Sequence, residues 1–307
     1  MAEKGTKKMN TENSHFDHRF ADVNGIRLHY ASAGQGELIL FVHGFPEFWA
    51  AWENQLETFG KSRQAVALDL RGFNLSSKPA DPRQYHIKLL VEDLRGLMTH
   101  LGHRRMVLVA HDWGGGVAWA FANRYPECVD KLVIINSPHP VIFARELLHN
   151  PEQRRASAYM NVFRSPDAEK ILSADGYSYL TDILFGWGSQ WRITPEMRQR
   201  YIEAWSRPGA LTGGLNYYRI SPLHPPLSEA EEASIRQVAE APAKAFSVSV
   251  PTLVIWGEKD EALLVGNLNG LEQFVETLTL RRIPEATHWL VHEQPERVNG
   301  YIRSFVD

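Results

Sequence analysis

The chain has 307 residues, 44% of them hydrophobic, with a formal net charge of −3 and Lys and Arg spread along its length. That size accommodates one large α/β unit or two small domains around an ordinary core, and the near-neutral balance speaks against a nucleic-acid or membrane-surface partner. A lone cysteine, Cys128, excludes an intramolecular disulfide and fits a reducing compartment.

Residues 1–15 read as a disordered tail. The stretch up to His18 is polar, carries Lys4, Lys7 and Lys8, and has no apolar signal region. No run approaches the length of a membrane-spanning helix, so the expected location is cytoplasmic. Asn24-Gly25 then marks a hairpin between two antiparallel strands. Segments rich in Val, Ile and Leu predict strands at 38–42, 65–70, 106–109, 132–135, 252–255 and 278–282, buried on both faces of a mostly parallel sheet. Helices are predicted at 49–59, 91–101, 114–124 and 298–305, each with an apolar stripe and a turn signal nearby.

Between Ile135 and Pro251 the alternation stops, and Pro138, Pro140, Pro151, Pro166 and Pro195 punctuate helical pieces. The expected organisation is a core of residues 16–136 and 246–307 with a helical lid inserted at 137–245. Within the insertion 221–226 reads as a loop and 229–240 as a polar stretch near the return. No internal repeat is visible.

The chemistry concentrates where predicted strands end. After Met106-Val107-Leu108-Val109 comes Ala110-His111-Asp112-Trp113-Gly114-Gly115-Gly116, a strand running into small residues and a helix start. A nucleophile held on such an elbow needs small neighbours so that the backbone can pass, which Ala110 and Gly114 provide and which Gly115 and Gly116 are expected to extend. Asp112 stands at the nucleophile position. A carboxylate attacks esters poorly but serves against a strained or halogenated sp³ carbon. A surface turn with an N-cap aspartate is the plain alternative for this segment.

Phe41-Val42-His43-Gly44-Phe45-Pro46-Glu47 follows another strand, and the N–H groups of Phe45 and Trp113 are candidates to converge on one developing negative oxygen. Asp260 closes the 252–255 strand, and His288 follows the last strand. Acid and then histidine, each after a strand, is the order of a hydrolase triad, with Asp260 orienting the imidazole and His288 activating water. Glu258 and Glu261 compete with Asp260 for the acid role.

With these residues in hand, the chain from about Phe16 onward resembles the soluble epoxide hydrolases of the α/β-hydrolase superfamily. The resemblance rests on His43-Gly44-Phe45-Pro46-Glu47, Asp69-Leu70-Arg71-Gly72-Phe73-Asn74-Leu75-Ser76, His111-Asp112-Trp113-Gly114-Gly115, Gly257-Glu258-Lys259-Asp260 and His288-Trp289. It implies an α/β-hydrolase fold and hydrolysis of an epoxide to a vicinal diol through an aspartyl ester, with water as co-substrate and neither metal nor cofactor. Asn74 departs from the family, which has glycine there; Asn tolerates the left-handed backbone better than other non-glycine residues.

The resemblance further implies two lid tyrosines that hydrogen-bond the ring oxygen. By motif these are Tyr159, in Ser157-Ala158-Tyr159-Met160, and Tyr218, in Leu215-Asn216-Tyr217-Tyr218-Arg219, with Tyr217 adjacent as the competing choice. Phe45, Trp113 and Tyr217 would line the substrate. Haloalkane and haloacid dehalogenases share the Asp-Trp-Gly elbow and final histidine, so a dehalogenase is the rival reading, followed by a catalytically silent ligand-binding homologue. Many dehalogenases place their acid immediately after the 132–135 strand. Asn136 holds that position here and cannot serve, which returns the role to Asp260. Oligomeric state is open.

Overall fold

The computed structural model describes residues 15–186, 191 and 193–307. The expected tail therefore lies outside the described residues, His15 excepted. The chain begins with β1 (Asp17–Val23) and β2 (Ile26–Ala33), joined at Asn24 and Gly25, both with positive φ, as the hairpin requires. Then come β3 (Leu38–Val42), α1 (Glu53–Phe59), β4 (Gln64–Leu68), α2 (Ile87–His100), β5 (Met106–His111), α3 (Trp113–Arg124) and β6 (Val129–Ile135).

From there the described chain is helical: α4 (Pro140–His149), α5 (Pro151–Ala156), α6 (Tyr159–Arg164), α7 (Ala168–Gly186, kinked at 174–177), α8 (Pro195–Ser206), α9 (Ala210–Ile220) and α10 (Glu229–Ala239). It closes with β7 (Thr252–Gly257), β8 (Leu278–Ile283), α11 (Leu290–Glu293) and α12 (Pro295–Val306). Among the described residues no helix is long and apolar enough to cross a membrane.

The eight strands form one sheet in the order β1-β2-β4-β3-β5-β6-β7-β8. β1–β2 and β2–β4 are antiparallel and every other pair is parallel. The central strands β3 and β5 are buried along their whole length, because helices cover both faces; their side chains are apolar up to His111 at the end of β5. Each Val, Leu or Ile so enclosed contributes about 2 kcal/mol relative to exposure. β8 departs from the expected burial: it is the edge strand, paired only with β7, and Arg281 and Arg282 are exposed.

Element ends shift for local reasons. The predicted helix at 49–59 is a 3₁₀ turn, Trp49–Trp52, followed by α1. α2 starts four residues earlier than expected, at Ile87, where the His86 ring accepts the Lys88 N–H. The 65–70 strand stops at Leu68 because Asp69 turns inward, accepting the Trp49 N–H at 2.9 Å and pairing with His29 at 2.6 Å. Asn74 takes φ +38 and donates to Asp69 at 2.8 Å, so an amide and a left-handed backbone do together what the family's glycine does by conformation alone.

Candidate active site

Parallel topology places the carboxyl ends of β3, β5, β6, β7 and β8 along one edge, where ligands of open α/β sheets bind. Asp112 stands between β5 and α3 with φ +49 and ψ −124, a conformation that L residues rarely adopt. Small neighbours make it fit. A Cβ on Gly44 would sit 2.1 Å from Asp112 Oδ1, one on Gly114 2.3 Å from the Val42 carbonyl, and one on Gly115 2.3 Å from Ser137. Gly116 is different from expectation: a Cβ there meets nothing nearer than the Trp113 ring at 4.0 Å, because α3 has already turned away from the neighbouring strands.

The Phe45 N–H donates to Asp112 Oδ1 at 2.8 Å. The second expected donor, the Trp113 N–H, is the first amide of α3. The helix ladder opens with Gly116 donating to the Asp112 carbonyl at 3.1 Å, so Trp113 N–H has no intrahelical acceptor. Ser137 Oγ also donates to that carbonyl, at 2.7 Å, which fixes the elbow from the β6 side.

Opposite Phe45, the other carboxylate oxygen, Asp112 Oδ2, lies 3.8 Å from His288 Nε2. The far side of the ring, Nδ1, is 2.7 Å from Asp260 Oδ2. Burial opposes charge on this imidazole, but Asp260 first, then Asp112 and Glu47, raise its pKa to about 9. Asp260 is buried too, yet His288, Asn136 and the Leu263 N–H hold its carboxyl below the usual range. The rival acids lie elsewhere: Glu258 pairs with Arg282, and Glu261 is exposed.

The two tyrosines come from different helices. Tyr159 opens α6, Tyr218 lies in α9, and their rings stand edge to face at 6.3 Å. Burial and the Asp112 charge push the Tyr159 phenol well above its ordinary pKa; for Tyr218 the causes are burial, then Tyr159 and Asp112. Both phenols therefore stay protonated, each near enough to Asp112 to feel its charge, and the Tyr218 hydroxyl is hydrogen-bonded to the Trp113 side chain. Tyr217 turns elsewhere, its hydroxyl donating to the Arg71 carbonyl at 2.9 Å.

An apolar cavity of about 490 Å³ lies against Trp113 and Tyr217, walled by Leu90, Val91, Trp119 and Phe246. Among the described residues no group of three or more His, Cys, Asp or Glu side chains is arranged to hold a metal ion.

A family profile described as alpha/beta hydrolase fold matches residues 37–295. The chain is 35% identical over 292 residues to Epoxide hydrolase 4 of Mus musculus, covering 92% of this chain and 77% of that one. It is 36% identical over 307 residues to Epoxide hydrolase 3 of Xenopus tropicalis, covering 96% and 79%. The crystal structure of a Bacillus megaterium epoxide hydrolase in complex with an inhibitor superposes with a TM-score of 0.86 at 38% identity, over 94% of this chain and 99% of that one. The chain belongs to the epoxide hydrolase family.

Around the motifs of this epoxide hydrolase family member, the structure supplies partners that the sequence does not show. Asn136 donates to Asp260 Oδ2 at 2.6 Å and accepts the Gly257 N–H at 2.7 Å. Glu47 is fully buried at the end of the Phe45 loop. It accepts from His292 at 2.5 Å and from Tyr201 of α8 at 3.0 Å, and it lies 3.5 Å from His111, whose Nε2 is 2.9 Å from the His288 carbonyl. Despite burial, His292 and His111 hold the Glu47 carboxyl far below its ordinary pKa. Glu47 and His111 stand in the sequence motifs and Asn136 follows the 132–135 strand; Tyr201 and His292 are recognisable only through their partners.

Proposed function

We propose that this protein hydrolyses an epoxide to a vicinal diol through a covalent ester on Asp112. The observation that supports the reading is the pair Tyr159 and Tyr218, whose rings meet edge to face at 6.3 Å and whose phenols both feel the charge of Asp112, the carboxylate that also meets His288. Ring opening leaves an alkoxide, and phenols with raised pKa values are still acidic enough to protonate it while being too weak to lose the proton beforehand.

In the first half-reaction Asp112 Oδ2 attacks one ring carbon as the C–O bond breaks. Tyr159 and Tyr218 bind the departing oxygen and one of them supplies its proton. Oδ1 is already held by the Phe45 N–H and becomes the ester carbonyl. Esterification removes the Asp112 charge, one of the groups that hold the His288 proton, so the imidazole pKa falls, its proton passes to the phenolate and the neutral ring becomes available as a base. His288, oriented by Asp260, then takes a proton from water as its oxygen attacks the ester carbonyl carbon. The Phe45 and Trp113 N–H groups stabilise the resulting oxyanion, each worth about 3 kcal/mol. Collapse expels the diol oxygen, which takes the water's second proton, and returns the carboxylate, now carrying one oxygen from water; the imidazole keeps the first proton and is again the imidazolium of the resting enzyme.

In this reading residues 137–245 are the lid over a core of 16–136 and 246–307. The dehalogenase reading uses the same attack on carbon but leaves the two phenols without a task.

Diol formation from styrene oxide and epichlorohydrin, measured beside halide release from 1-bromobutane and chloroacetate, tests the proposal. Diol without halide is expected. Halide release as the main activity, or binding of all four without turnover, overturns it. Single turnover in heavy-oxygen water should leave label in the Asp112 carboxylate.

A further inference from the structure

Gln153 sits in α5, fully buried, just ahead of the Ser157-Ala158-Tyr159-Met160 segment. Its amide uses its whole hydrogen-bonding capacity. Nε2 donates to Ser157 Oγ at 2.9 Å and to the Ala262 carbonyl at 2.8 Å; Oε1 accepts from the Leu264 N–H at 2.9 Å and from Asn267 Nδ2 at 2.7 Å. These partners belong to two catalytic neighbourhoods. Ser157 ends α5 and lies two residues before Tyr159. Ala262 and Leu264 belong to the turn whose amides at Ala262 and Leu263 donate to Asp260 Oδ1 at 2.9 and 2.8 Å.

We propose that Gln153 is a positioning residue for both half-reactions, tying the turn that carries Tyr159 to the loop that holds Asp260. The inference rests on the ester mechanism proposed above. Two donors and two acceptors in one plane are the inventory of a side-chain amide and of no other side chain. Leucine at this position leaves a buried carbonyl, an amide N–H and a hydroxyl without their partner, so both the phenol and the acid loop lose a fixed reference.

The role separates from simple structural support through rate constants. Misfolded protein lowers the amplitude of a single turnover, whereas a misplaced catalytic group lowers its rate. With styrene oxide, rapid acid quench and mass spectrometry of the peptide containing Asp112 report ester formation and breakdown separately. Gln153→Leu should slow both phases by about tenfold, the loss expected for removing one buried hydrogen-bonded partner. Ser157→Ala cuts only the link to the tyrosine turn and should slow formation while leaving breakdown near the wild-type rate.

Gln153→Glu keeps the shape but loses both donors when ionised. Its protonated acid restores one, so its rates relative to wild type should rise as pH falls from about 8 to about 5. Wild-type rate constants in both phases of Gln153→Leu, or a flat pH ratio for Gln153→Glu, overturn the inference while the ester mechanism stands. A wild-type enzyme that forms no ester on Asp112 overturns the mechanism, and this inference with it.

Discussion

Asn136 donates its side-chain amide to Asp260 Oδ2 at 2.6 Å, the oxygen that also pairs with His288 Nδ1 at 2.7 Å. The position at the end of β6 and the acid at the end of β7 thus meet on one atom. Asn136→Ala should slow ester breakdown about tenfold through loss of this charge-assisted bond, with ester formation little changed. A carboxylate placed at 136 approaches the same ring from the neighbouring strand. The double variant Asn136→Asp/Asp260→Asn should therefore recover part of the activity lost in Asp260→Asn. Steady-state kcat of the three variants checks both statements; a double variant no faster than Asp260→Asn shows that the β6 position cannot orient the imidazole.

Phenol removal divides the tyrosines. Tyr159→Phe and Tyr218→Phe should each slow ester formation by roughly a hundredfold, within the range of general-acid contributions, and the double variant should show no ester at all. Tyr217→Phe should form ester at close to the wild-type rate. Its hydroxyl serves the Arg71 carbonyl, so the change costs about 1 kcal/mol of stability instead. Single-turnover rates and denaturant midpoints, measured on the same preparations, separate the two effects.

The His288 imidazole titrates near 6.5 when unfolded and near 9 in the fold, where burial opposes and Asp260, Asp112 and Glu47 favour its charge. A raised pKa contributes stability that is complete below about pH 6.5 and lost as the pH rises through about 9. The unfolding free energy of wild type minus that of His288→Gln should therefore shrink between those values. Growth of the difference with pH would contradict the assignment. On the rate side, ester breakdown needs the neutral ring and should rise with pH to a plateau, with a midpoint below 9 because esterified Asp112 no longer holds the proton.

Two glycines test the elbow. Gly44→Ala places a methyl 2.1 Å from Asp112 Oδ1, so the loop or the nucleophile must move, and turnover should fall at least a hundredfold for a displacement on the order of 1 Å. Gly116→Ala, on a helix, brings its methyl no nearer than 4.0 Å to the Trp113 ring. It should retain activity and gain up to about 1 kcal/mol of stability from helix propensity. Matched assays and thermal unfolding of the pair check the contrast.

The parallel strands were legible in the sequence because a strand covered on both faces is a continuous apolar run, as 38–42 and 106–109 are. β8 was misjudged for the same reason. Leu278-Thr279-Leu280 reads as interior, and only its place at the sheet edge exposes Arg281 and Arg282. The elbow, the acid and the histidine stood out because each follows a strand directly. Gln153 and His292 did not, since an amide or imidazole in a helix carries no pattern until its partners are known, and Asn136 stood out by its place after a strand but not by its bond to Asp260.

Local chemistry fixes what the chain can write into a few consecutive residues. Asp112 with its small neighbours, the Phe45 loop, the order of acid before histidine, and the hairpin at Asn24-Gly25 all follow from backbone sterics and short-range turns, and the sequence by itself determined them. Which oxygen of Asp112 meets Phe45 and which meets His288, why the Tyr217 hydroxyl serves the Arg71 carbonyl, and how Gln153 joins Ser157 to the turn after Asp260 were decided by the tertiary structure. Those outcomes depend on contacts between segments up to 177 residues apart, as between His111 and His288, and no local propensity encodes the register at which helices from the insertion come down on the sheet edge.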